Sequence, residues 1–185
     1  MTNLNGIEKN RIIYVNGDFD EECVQNTVLT MLDYECDDPT KDILMFIDSF
    51  GGFYDSFIAI HDAMQICRCD VATICVGKAM SCGQMLLMSG KNGKRFITPN
   101  SRIMMHQIHY DYAGNVSQME NELQQSKECQ KIMEDLIIKY THIKKPMLKD
   151  IMSRETYLSA KQALEFGLVD YIVENPKALY AKLKL

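Results

Sequence analysis

Ser81 lies in Gly77-Lys78-Ala79-Met80-Ser81-Cys82-Gly83, a cluster of small residues between a β-branched run, 71–76, and an apolar helical run, 84–88. At a strand-to-helix junction a serine hydroxyl sits at the positive end of the helix dipole, beside backbone N–H groups without intrahelical partners. Such N–H groups can hold an oxyanion. The position also suits a plain helix cap, because serine is a favoured N-cap and small residues gather at ordinary turns. Two other strand ends weigh towards chemistry. His106 closes the apolar run Arg102-Ile103-Met104-Met105-His106-Gln107, and Gly51-Gly52 follows the run 43–48. A nucleophile, a base and a pair of close-approach glycines thus occupy three strand ends.

The elements that must position them follow from the hydrophobic pattern. Strand-like runs at 11–15, 43–48, 71–76 and 103–107 alternate with helical patterns at 21–34, 54–67 and 81–89. This alternation predicts a mostly parallel sheet with covering helices and right-handed crossovers. Ligands of such sheets gather beyond the carboxyl ends of the strands, where Gly52, Ser81 and His106 would lie. Asn16-Gly17-Asp18 reads as a turn into the first helix, and Pro99-Asn100 as a turn before the strand ending at His106. A long amphipathic helix is predicted over 116–140, with Met119, Leu123, Cys129, Ile132, Met133, Leu136, Ile137 and Tyr140 on one face. Pro146 opens a shorter helix to Met152, Ser159 caps another that stops at Gly167, and 168–173 reads as a last strand.

A chain of 185 residues with 46% hydrophobic and 24% charged content fits one soluble domain. The net charge is −5 and no long basic stretch occurs, so no nucleic-acid partner is expected. Residues 1–10 are polar, and no run approaches the ~20 apolar residues that cross a bilayer. A cytoplasmic protein without a membrane partner is expected. Cys23, Cys36, Cys67, Cys69, Cys75, Cys82 and Cys129 make an odd count without secretory context, which predicts reduced thiols. Cys67-Arg68-Cys69 is not a C-x-x-C pair and has no companion Cys or His pair, so no metal site is expected.

With these residues placed, the chain resembles the proteolytic subunit of the Clp protease, a self-compartmentalised serine peptidase, from about Arg11 to Val173. The landmarks, in order, are Asp38-Pro39-Thr40-Lys41-Asp42-Ile43, Ser49-Phe50-Gly51-Gly52, Ala79-Met80-Ser81-Cys82-Gly83, Pro99-Asn100-Ser101-Arg102, His106-Gln107, Leu158-Ser159-Ala160 and Phe166-Gly167-Leu168-Val169-Asp170. The resemblance implies an α/β, Clp protease/crotonase-like fold of repeated β-β-α units with a protruding handle helix. It implies one domain over 1–185, with a head from about 11–108 and 146–173 and a handle from about 109–145. It further implies Ser81 as nucleophile, His106 as base, and the backbone N–H groups of Gly52 and Cys82 as oxyanion donors, without cofactor. The implied partners are polypeptide substrates, further copies of the chain in stacked heptameric rings forming a tetradecamer, and an AAA+ unfoldase.

The chain departs from the family pattern at the third triad position, where Ser153-Arg154-Glu155-Thr156-Tyr157-Leu158 supplies Glu155 in place of the usual aspartate. A carboxylate that orients the imidazole is still available, at about one C–C bond of extra reach. Asp150 is the rival acid. His61, His109 and His142 suit solvated or packing roles better than that of base. Phe50 and Ile108 replace prolines of the pattern, and the segment after the histidine reads His109-Tyr110-Asp111-Tyr112-Ala113-Gly114, a bulkier edge for pairing with an extended peptide. Residues 1–10 are shorter than the family's usual gate-forming segment, so an axial entrance open to short peptides without ATP is expected. Two alternatives belong to other classes: a non-catalytic or weakly active ring subunit, and a crotonase-type enzyme holding an acyl-CoA enolate on paired N–H groups.

Overall fold

The computed structural model describes residues 11–185; residues 1–10, on which the gating expectation falls, lie outside them. Strands β1 (Ile12–Phe19), β2 (Ile43–Gly52) and β3 (Val71–Met80) alternate with helices α1 (Glu21–Asp37) and α2 (Tyr54–Ile66). Then come α3 (Cys82–Met88), β4 (Arg95–Ile97), β5 (Arg102–Met105), α4 (Val116–Tyr140) and α5 (Lys145–Ile151). The chain continues through β6 (Thr156–Ser159), α6 (Ala160–Glu165), β7 (Tyr171–Ile172) and α7 (Pro176–Tyr180). The sheet runs β1-β2-β3-β4-β7 with every pair parallel, and β5 branches from β3 and carries β6 antiparallel at its edge. This is the mostly parallel α/β architecture that the alternating pattern predicts.

Near-continuous apolar stretches such as Ile43-Leu44-Met45-Phe46-Ile47 suit central parallel strands covered on both faces. One core cluster includes Phe19, Ile47, Phe57, Ile60, Leu86 and Ile137, and a second, formed by Leu44, Ala72, Ile74, Phe96, Val173 and Leu179, is sealed by the C-terminal segment. The three long strands outrun their expected ends because the ladder absorbs polar and glycine residues as irregularities. The expected turn at Asn16-Gly17-Asp18 is a register shift inside β1, with Gly17 at φ +77°, and a second shift falls between Ile47 and Ser49. An extra residue taken up as a bulge bends a strand without ending it.

β3 serves two neighbours in turn. Thr73 to Cys75 pair with β4, and Lys78 to Met80 pair with β5, so β5 begins level with the end of β3 and carries His106 past it. The expected last strand over 168–173 shortens to two residues because Asp170 turns its carboxylate onto the Arg95 guanidinium, at 2.6 Å and 3.0 Å, and onto the N–H groups of Gly93 and Arg95. α4 has the predicted bounds and opens with an Asn115–Gln118 capping box. Its apolar stripe divides, with Cys129, Met133 and Ile137 buried in the core while Met119 and Leu123 stay 48% and 51% exposed. Residues 109–114 form no strand; the rings of Tyr110 and Tyr112 stack there at 5.5 Å.

Candidate active site

Ser81 occupies the corner between β3 and α3 with φ +52° and ψ −122°, a conformation that an L-residue adopts at a cost of about 1–3 kcal/mol. The corner is fixed from both sides. Ser81 donates its N–H to the Met104 carbonyl of β5 at 3.0 Å, and its own carbonyl accepts from the N–H groups of Gln84 and Met85 at 3.1 and 3.2 Å. The hydroxyl caps no N–H group of the helix, so the capping role open to a serine here is unused.

The glycine pair serves two different contacts. At Gly51, φ +106°, a Cβ would stand 2.8 Å from Ser81 Cβ and 3.0 Å from the Cys82 nitrogen, so only glycine lets β2 pass the serine corner and leaves the space before the Cys82 N–H open. At Gly52, φ +148°, a Cβ would meet the Phe19 nitrogen at 2.5 Å. The absent Cβ of Gly52 therefore makes room for β1, whereas Gly51 makes the close approach to Ser81. Cys82 is the first residue of α3, whose N–H has no intrahelical acceptor. Its thiol is a weak candidate nucleophile: burial pushes its pKa up to about 11, and the sulfur lies 3.4 Å from the Gly52 carbonyl.

His106 follows β5 immediately and is half-buried. Burial lowers its pKa below the ordinary imidazole value, the carboxylate of Glu155 opposes that shift, and His109 adds to it. The lowered value favours the neutral imidazole that a general base requires. Glu155 comes to His106 through strand pairing: Met105 faces Thr156 across the antiparallel β5–β6 pair, and the next step of that register sets His106 opposite Glu155. Asp150, in the last turn of α5, does not figure among the charges acting on His106. The Glu155 carboxylate accepts a hydrogen bond from the Tyr157 hydroxyl at 3.0 Å, and among the described residues none joins His106 to Ser81 or Glu155.

Ser81, Cys82, Gly52 and His106 open together onto a cleft of about 610 Å³. Its walls come from Phe53, Tyr54, Ile108, Tyr110 and Met133, with Asp18, His109 and Asp111 as polar groups, while Glu155 stands outside the lining. His109 borders the cleft with its side chain 78% exposed, in keeping with the solvated role expected of it. His61 is buried between Asp62 and the Tyr140 hydroxyl, at 2.8 and 3.1 Å, and is a packing residue. The sequence pattern did not point to Asp18, but the register does, since Asp18 pairs with Gly51. Among the described residues no group of three or more His, Cys, Asp or Glu could hold a metal ion, and no helix is long and apolar enough to cross a membrane.

One comparison with known proteins bears on this geometry. The family model described as Clp protease matches residues 1–176, nearly the whole chain.

Proposed function

The chain belongs to the Clp protease family, and from that premise we propose that it is a serine endopeptidase hydrolysing peptides and unfolded polypeptides. The observation that carries this reading is the convergence of Ser81, His106, Gly52 and Cys82 on one cleft. His106 takes the Ser81 proton as the hydroxyl oxygen attacks the scissile carbonyl. The N–H groups of Gly52 and Cys82 receive the developing oxyanion. His106 then returns the proton to the leaving amine, and water releases the acyl group by the reverse sequence. Glu155 holds the imidazole and stabilises the imidazolium through the pairing of β5 with β6. The chemistry needs no cofactor.

The exposed Val116, Met119 and Leu123 on α4 support a handle that meets other copies, and the assembly we propose is two stacked heptameric rings built from single head-and-handle domains. Seven free cysteines support a reducing, cytoplasmic setting. A weakly active ring subunit is the second reading, and the bond from Tyr157 to Glu155 favours it because that carboxylate is engaged away from His106. Titration of the purified protein with a fluorophosphonate separates the two. Stoichiometric, rapid modification of Ser81 supports the peptidase, and slow or absent modification of an assembled ring supports the weakly active subunit.

A further inference from the structure

The cleft at Ser81 has an unusual charge balance for a surface meant to receive polypeptide in general. Asp18 enters it from β1 and Asp111 from the segment after His106, whereas no lysine or arginine lines it. The Asp18 carboxylate has no side-chain hydrogen bond or ion pair among the described residues, and Asp111 has its charged partner in His109, at 3.8 Å. Phe53, 71% exposed, forms the ridge between this cleft and a neighbouring groove of about 650 Å³. That groove is lined by Asp20, Glu21, Glu22 and Asp55, again without a cation. A chain lying over Ser81 and across Phe53 would pass carboxylates on both sides of the ridge.

We propose that the cleft selects polypeptides carrying lysine or arginine close to the scissile bond, with Asp18 as the residue that sets this preference. The inference rests on the peptidase reading, since the nucleophile's cleft is what calls for a polypeptide there. Asp18 faces Gly51 in the β1–β2 register, one strand away from the serine corner. A cationic side chain extending from a residue beside the attacked carbonyl meets this carboxylate while its methylenes lie on Phe53 and Tyr54. The remaining carboxylates hold further cations along the track and exclude acidic segments by like-charge repulsion. The net charge of −5 adds a long-range attraction of the same sign.

The test uses three fluorogenic peptides identical except for lysine, glutamine or glutamate beside the cleaved bond. kcat/KM is measured at low and high salt for the wild type and for Asp18→Asn. The expected order is lysine, glutamine, glutamate, with lysine over glutamate by about tenfold or more at low salt, a ratio that shrinks as salt screens the pair. Asp18→Asn should bring the ratio towards unity. Binding of the same peptides, dye-labelled, to Ser81→Ala protein is followed by anisotropy and reads the preference without turnover. Equal affinity for the lysine and glutamate peptides there overturns the charge preference and leaves the peptidase reading standing. Charge-selective binding without any cleavage or fluorophosphonate labelling of the wild type overturns the peptidase reading instead.

Discussion

At position 51 any side chain collides with the serine corner, because a Cβ there stands 2.8 Å from Ser81 Cβ and 2.9 Å from the Met80 carbonyl oxygen. Gly51→Ala should therefore displace Ser81, with turnover falling at least about a hundredfold and stability by about 1–3 kcal/mol; kinetics and denaturant titration measure the two. As the proposed base, His106 should set the pH dependence. Burial lowers its pKa, so activity rises with pH through a value below that of a free imidazole and holds at neutrality. Glu155 pulls that pKa upward, and Glu155→Gln should shift the acidic limb of kcat/KM to lower pH while turnover falls, by up to about 10⁴-fold if Glu155 is the orienting acid. An Asp150→Asn variant with the larger loss would move that role to Asp150. Tyr157→Phe releases the carboxylate held at 3.0 Å and should move the limb the other way.

Among the elements, the ends of β2, β3 and β5 carry the site, β6 brings Glu155 beside His106, and α4 carries an exposed apolar stripe. The positions of Ser81, His106 and the glycines were legible because each ends an apolar run that must be a buried strand. The β5–β6 pairing that brings Glu155 to His106 was not, since two four-residue strands leave no periodicity to read. Nor was the register shift at Gly17, where β2 gains a residue on β1 between Asp48 and Gly51 and a local turn signal gives way to the ladder. The α4 stripe was visible as a stripe but not as two surfaces, because burial on a neighbouring helix and burial on another copy require the same residues. Cys129 is buried within the single chain, so its accessibility does not report assembly. Met119→Glu with Leu123→Glu should leave the head folded and shift sedimentation towards smaller species. Unchanged sedimentation of an assembled protein would remove α4 from the interface. Elsewhere, Asp170 is held below the usual carboxylate range: burial alone would raise its pKa, but the Arg95 guanidinium and the N–H groups of Arg95 and Gly93 outweigh it. A depressed folded pKa means stability present above the unfolded carboxylate value and lost as pH falls through the folded one. Asp170→Asn should cost about 3–5 kcal/mol at neutral pH and flatten the acid limb of the stability curve.

For the whole molecule, a parallel sheet gathers three strand ends on one edge, and the acidic surface around that edge governs which chains approach it. Family membership, the cleft and the exposed half of α4 support the proposed peptidase assembly, whose chemistry would depend on one serine. Reaction of the purified assembly with a fluorophosphonate, followed by mass mapping of the labelled peptide, tests that dependence directly. One adduct per chain is expected, on Ser81, absent from Ser81→Ala, slowed severely in His106→Ala, and accompanied by loss of peptide hydrolysis. Peptide hydrolysis that continues undiminished in Ser81→Ala protein free of other proteases would contradict that dependence.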